Sequence, residues 1–428
     1  MSFATFKLDE KINAGVSAAG YREPTPIQAQ AIPPILEGRD VMGLAQTGTG
    51  KTAAFVLPIL QRLMQGKRGA VRALIVAPTR ELSEQTHESI LQLGRKTGLK
   101  SAAIYGGASI HNQMNKLRAG VDIISACPGR LLDHIERGTV DLSSVEVLVL
   151  DEADHMFDMG FLPDVRRIVK HLPAGRQTLL FSATMPKEIR SLANDLLRDP
   201  AQIQIGHTAP AMTVSHKFYS VQMELKTALL KDILQKTAVR SVLVFTRTKS
   251  RAKSLAEHLN KNGHKVTSLH GNLTQPKRKQ SLDGFRDGRY EVMVATDIAA
   301  RGIDVSRISH VINYDMPATA DAYTHRIGRT GRAAQTGDAL TFVTRQDADL
   351  VHSLSKLLGD KLEYQKVEGL TAIGSDCEFR PERPVRGMKP GSGRKPFSLK
   401  PQGTARPKQR SFSDAGRLSW SSRAVQAV

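Results

Sequence analysis

Between residues 40 and 345 the chain alternates two hydrophobic patterns. Short runs in which nearly every position is apolar give way to longer stretches where apolar residues recur at helical spacing. In the first half the short runs are DVMGLA (40–45), RALIVA (72–77), VDIISA (121–126), VEVLVL (145–150) and QTLLF (177–181). In the second half they are SVLVF (241–245), KVTSL (265–269), YEVMVA (290–295), HVINY (310–314) and ALTFV (339–343). Runs this rich in β-branched residues, apolar on both faces, predict strands buried on both sides. Their alternation with helices predicts parallel sheets with crossover helices, an α/β fold built twice in tandem.

The pattern fails in two places. IGHTAPAMTVSH loses all periodicity, which predicts a linker over about 207–216 between a first domain, 1–206, and a second, 217–368. From 369 to 428 the chain is rich in Pro, Gly, Lys and Arg and has little to bury, so a disordered basic tail is expected. At 428 residues there is room for two domains and such a tail.

Charge narrows the partner. The net charge of +20 points to a polyanion. No apolar run approaches the roughly twenty residues of a membrane span, and MSFATFKLDEK does not read as a signal peptide, so a cytoplasmic protein with no membrane partner is expected. Two cysteines, Cys127 and Cys377, and thirteen scattered histidines form neither a disulfide framework nor a metal cage.

The chemistry sits at strand ends. AQTGTGKT (45–52) follows a strand and opens a helix, the context a phosphate-binding loop requires. Gly48 and Gly50 let backbone amides approach phosphate, Lys51 supplies charge to the β- and γ-phosphates, and the Thr52 hydroxyl can ligate Mg²⁺. VEVLVLDEAD brings Asp151 and Glu152 to the carboxyl end of a buried strand, beside that loop. Asp151 is placed to hold Mg²⁺ through its water shell, and Glu152 to orient or deprotonate an attacking water. Other strands end in Pro78, Thr79 and Arg80; in Gly106 and Gly107; and in Pro128, Gly129 and Arg130. Small residues with arginine suit sugar–phosphate contacts that carry no sequence information. Aromatics are only 5% of the chain and absent from these loops, so base stacking is not expected. The second half has no Gly-Lys-Thr after SVLVF, which runs into TRTKSR. It carries instead HRIGRTGR (325–332), whose spaced arginines suit fingers that reach a transferring phosphate.

DEAD itself, with AQTGTGKT, PTREL (78–82), CPGR (127–130), SAT (182–184), ATDIAARGID (295–304) and HRIGRTGR, resembles the DEAD-box RNA helicases of superfamily 2 from Phe3 to about residue 345. The short basic tail looks most like the small bacterial RhlE-type group. The resemblance implies two RecA-like domains, ATP with Mg²⁺, and RNA-stimulated ATP hydrolysis by a monomer that clamps and locally unwinds RNA. Ribosomal-precursor or RNA-degradation complexes are the implied partners.

Residue by residue, the resemblance makes Gln28 an adenine reader, with Thr25 supporting and Phe3 stacking on the base. Gln46, Thr47, Gly48, Thr49, Gly50, Lys51 and Thr52 would hold phosphate, and Asp304 the ribose. Arg329 and Arg332 would be fingers on the γ-phosphate and Arg326 more structural. Arg301 would be an interdomain partner. His325, Ser182 and Thr184 would link the phosphate and RNA sites. The strand-end residues named above, with Thr246, Arg247, Gly271, Gln275, Arg278, Thr296 and Asp297, would hold RNA. The chain departs from the family's pattern at Ala45 (often Gly), Cys127 (usually Thr), His155 (commonly Arg) and Asn272 (commonly Asp). Two rival readings remain: an RNA-annealing chaperone or scaffold acting through the tail, and a DNA helicase.

Overall fold

The computed structural model describes residues 2–46, 48–205, 214–236, 241–300, 308–331 and 336–365. All of them fall in one compact unit, Met1–Phe379. Within it two seven-stranded sheets follow one another along the chain. The first contains β1 (Val41–Leu44), β2 (Ala73–Val76), β3 (Ser101–Ile104), β4 (Ile123–Ala126), β5 (Val147–Leu150), β6 (Gln177–Ser182) and β7 (Ala201–Gln204). The second contains β8 (Val214–Ser220), β9 (Val242–Phe245), β10 (Val266–Leu269), β11 (Val292–Ala295), β12 (His310–Asn313), β13 (Gly337–Val343) and β14 (Leu362–Gln365).

The spatial orders are β3-β4-β2-β5-β6-β1-β7 and β10-β11-β9-β12-β13-β8-β14. Counting each sheet from its own first strand, both read 3-4-2-5-6-1-7, so the lobes repeat one topology. Every pairing is parallel. Parallel strands need crossover connections, and the helices that make them cover both faces of each sheet. β2, β4, β5, β6, β9 and β11 are accordingly buried at every residue. The first sheet has one apolar cluster holding Phe55, Ile75 and Phe181 and another holding Leu74, Ile124 and Leu180.

Two corrections to the expected organisation follow. Val214–His216, expected at the end of the linker, begin β8, which pairs with β13 from Val214 onward. Residues 207–213 of that linker and the whole 369–428 tail lie outside the described residues. Because β8 is the counterpart of β1, the segment matching the phosphate loop is the one after Ser220, VQMELK, and not TRTKSR. It forms a short 3₁₀ turn, Met223–Leu225, leading into a helix. That leaves no glycine to bring amides to a phosphate.

Candidate active site between the lobes

The phosphate loop leaves β1 and enters the helix Lys51–Leu63 through Gly50, the helix N-cap, at φ 95°. A side chain there would be strained, and a Cβ would lie 2.6 Å from Gln28 Nε2. Gln28 fills that space: its amide donates to the Gly50 carbonyl at 3.1 Å while its Oε1 accepts the Thr25 N–H at 3.0 Å. The segment expected to read adenine is thus tied to the loop, with one N–H and one lone pair of the Gln28 amide left over. Phe3, expected to stack on the base, lies against the chain's own aromatic rings. It is buried, its ring stacked on Tyr21 at 6.1 Å and edge-on to Phe6 at 5.8 Å.

Lys51 is buried, and its Nζ has no hydrogen-bond partner among the described residues. A buried ammonium without a partner is costly, so the atom fits an anionic ligand such as a triphosphate. Thr52 follows on the helix, and Asp151 directly follows β5, its N–H donating to the Val76 carbonyl at 2.9 Å. Two protein oxygens beside phosphate suit Mg²⁺, which keeps several waters and shares substrate phosphates. Thr49 Oγ1 closes the loop by donating to the Gln46 carbonyl at 2.7 Å.

After Asp151 the chain turns sharply, and Glu152 takes a left-handed φ of 51° before the helix Ala153–Asp158. The turn sets the two carboxylates side by side, both almost fully buried. Burial first, then repulsion by Glu152, pushes the Asp151 carboxyl up to about 7 against the pull of Lys51. Burial acts the same way on Glu152, but His155, in charge and hydrogen bond, and then Lys51 overcome it and leave its carboxyl below the usual range. Asp154 is likewise held low: burial opposes, and the pull of the neighbouring His325, with the charges of His155 and Lys51, wins. Its Oδ2 accepts the N–H groups of Ala183 (3.2 Å) and Thr184 (2.9 Å) and the Thr184 hydroxyl (3.0 Å). Ser182 Oγ donates to the Thr184 carbonyl at 2.7 Å and accepts the Asp154 N–H at 3.2 Å. Ser182, Thr184 and Asp154 are therefore one knot at the end of β6.

The second lobe reaches this knot with the helix Ala320–Ile327. The His325 and His155 rings meet edge to face, 4.5 Å between centroids, with Nδ1 of the first 3.2 Å from Nε2 of the second. His325 Nε2 lies 3.6 Å from Asp154 Oδ2. Arg329 is buried on the wall of a cavity of about 330 Å³ whose other lining includes Ala45, Gln46, Ala183 and Thr184. Arg326 braces the lobe: it holds Asp297 with two bonds (2.5 and 2.7 Å) and the Asn313 and Asp315 oxygens at 3.1 and 2.6 Å. Arg332, Asp304, Arg301 and Thr47 lie outside the described residues.

The expected RNA contacts gather at the ends of neighbouring strands. β3, β4 and β2 adjoin, so Gly106–Gly107, Pro128–Arg130 and Pro78–Arg80 form one ledge. Arg80 lies against Gly107, where a Cβ would strike its guanidinium, and Arg130 donates to the Ala108 carbonyl at 3.1 Å. Cys127 occupies the N-cap position of the next helix without a capping bond from its side chain, and burial pushes its thiol up to about 12. In the second lobe β10, β11 and β9 adjoin in the same way and present Gly271, Thr296 and Thr246–Arg247. Gln275 starts the helix that follows Gly271. Two residues are engaged otherwise than expected. Asp297 is the partner of Arg326, and Arg278 is buried with Nε 2.6 Å from Glu81 Oε1 of the first lobe and Nη1 on the His270 carbonyl at 3.2 Å.

Sequence reasoning left out Asp154 and Glu81 as working groups. Both stood in motifs already in view, one closing DEAD and the other inside PTREL. Nothing in either motif states which partner a buried carboxylate will find.

A family profile described as DEAD/DEAH box helicase matches residues 25–192, and one described as helicase conserved C-terminal domain matches 225–334. The DEAD-box ATP-dependent RNA helicase CshA of Geobacillus kaustophilus is 44% identical over 85% of this chain and 78% of its own length. CshA of Bacillus subtilis is 42% identical over 86% and 74%. Among solved structures, Saccharomyces cerevisiae Dbp5 bound to RNA and ADP BeF3 superposes with a TM-score of 0.78 at 31% identity, over 86% of this chain and 95% of that one.

Proposed function

The chain belongs to the DEAD/DEAH box helicase family and is an ATP-dependent RNA helicase, and we propose that its site is divided between the lobes. The first lobe binds ATP: Gln28 and Thr25 take the adenine edge, and the loop from Gln46 to Thr52 takes the phosphates. Thr52 and Asp151 would hold Mg²⁺, which would supply charge neutralisation for the phosphates. Glu152 orients the attacking water and accepts its proton. The second lobe contributes Arg329, and with it Arg332, to the equatorial oxygens of the γ-phosphoryl group. The observation that carries this reading is Arg329, buried on a cavity that also takes in Ala45 and Gln46 at the start of the phosphate loop.

RNA lies on the two strand-end ledges and is held by its backbone, with 2′-hydroxyls distinguishing it from DNA. ATP and RNA each favour the closed arrangement, so each strengthens the other's binding. Clamping and bending one strand separates a short duplex, and hydrolysis with release resets the clamp. The finer expectations stand within this proposal: a monomeric, cytoplasmic, RhlE-type protein that serves ribosomal-precursor or RNA-degradation complexes. The basic stretch after residue 369 supports a second, annealing activity, which deletion of that stretch would remove while leaving unwinding.

The test is displacement of a short RNA duplex. Lys51→Ala should abolish ATP binding and displacement. Glu152→Gln should bind ATP and RNA and hold both without turnover, its kcat falling by at least about 10²-fold. Normal turnover by the Glu152 variant would overturn the general-base assignment.

A further inference from the structure

We propose that His155, the residue directly after the acidic quartet, is a positioning residue that makes the orientation of Glu152 depend on lobe closure. It rests on the assignment of Glu152 as general base. Three observations carry it. His155 is about 1% exposed, and both of its ring nitrogens are engaged. Nδ1 meets Glu152 Oε2 at 2.8 Å within the first lobe, and Nε2 meets His325 Nδ1 at 3.2 Å across the lobe boundary. Glu152 itself sits on a left-handed residue between β5 and the helix that carries His155, so both side chains are set by one turn.

The donor order follows from hydrogen-bond capacity. A carboxylate only accepts, so Nδ1 of His155 carries the proton that Glu152 receives. Its Nε2 shares one proton with His325 Nδ1 across the lobe boundary. The chain therefore links His325 in the second lobe, through His155, to Glu152. Separation of the lobes removes the partner of Nε2. The His155 ring then loses the contact that fixes its rotation, and Glu152 loses its aim. Since closure brings His325 into place, the proton acceptor for hydrolysis is aimed only in the state that also presents Arg329.

The experiment measures RNA-stimulated ATP hydrolysis of the full chain at saturating and sub-saturating RNA for His155→Phe, His155→Asn and Glu152→Gln, with a thermal melt of each as the check on folding. Phenylalanine keeps the ring and removes both hydrogen bonds. Asparagine keeps an amide donor near the Nδ1 position and loses the reach to His325. For His155→Phe we expect kcat to fall about tenfold or more with KM for ATP within about twofold. His155→Asn should recover kcat to within about threefold, yet require at least about threefold more RNA for half-maximal stimulation. A His155→Phe kcat within twofold of the unsubstituted chain would overturn the proposal. So would equal losses in both variants, with KM rising as kcat falls, since that is what a merely structural role gives. Loss of turnover in Glu152→Gln beside normal turnover in His155→Phe would sink the His155 role alone. Normal turnover in Glu152→Gln would remove the base assignment and the positioning role with it.

Discussion

Asp151 and Glu152 are neighbours in sequence and equally buried, yet their carboxyls move in opposite directions. The difference lies in their partners. Glu152 has the His155 ring at 2.8 Å, whereas Asp151 faces burial and the Glu152 charge with Lys51 as its main relief. A carboxyl raised in the folded state binds its proton more tightly there than in the unfolded chain. Its contribution is therefore favourable at low pH and is lost as pH rises from about 4 towards about 7. In the nucleotide-free protein, Asp151→Asn should accordingly raise the Tm at pH 8.5 by about 3–6 °C. The gain should shrink at pH 5.5, where the native carboxyl is mostly protonated. Thermal melts at the two pH values check this, and an equal gain at both would show that burial of charge at Asp151 is not its source.

At the scale of elements, what the sequence made legible follows burial. β2, β5, β9 and β11 are buried on both faces, and their unbroken apolar runs give them away. β7 (AQIQ) and β14 (LEYQ) are sheet edges with one buried residue or none, and β3 (SAAI) is an edge of small residues. β8 (VSHKFYS) alternates buried and half-buried positions, so its polar residues broke the apolar signal and its first three residues were drawn into the expected linker. The site was legible for a different reason. Glycine at positive φ and acids at a strand end are local demands of the chemistry, readable residue by residue. Pairings such as Arg278–Glu81 and Arg326–Asp297 join residues 197 and 29 positions apart, and they depend on the tertiary fold. Capping is local too. Thr79 caps the helix Arg80–Leu93, its hydroxyl accepting the Leu82 N–H at 3.2 Å. Thr79→Ala should cost about 1 kcal/mol by urea unfolding, and an unchanged midpoint would contradict the capping role.

At the scale of the whole molecule, two lobes of identical strand order do different work because only the first kept a phosphate loop. They meet through buried polar contacts, His155–His325 and Arg278–Glu81 among them. Removing one member of a buried pair leaves the other charge unpaired, a cost of about 3–5 kcal/mol that falls here on the closed arrangement. Glu81→Gln and Arg278→Ala should each reduce RNA-stimulated hydrolysis about tenfold or more. The double variant should lose little beyond either single one, a coupling that a double-mutant cycle reads directly. Fully additive losses would mean that the pair does not act as a unit.

The central claim is that hydrolysis waits for both lobes to close on RNA. The most direct measurement is the steady-state ATP hydrolysis rate with no nucleic acid, with single-stranded RNA, and with DNA of the same sequence. The account predicts strong stimulation by RNA and little by DNA. Equal rates in all three conditions would contradict it, since a site completed by Arg329 only on closure cannot turn over at the same rate without the ligand that closes it.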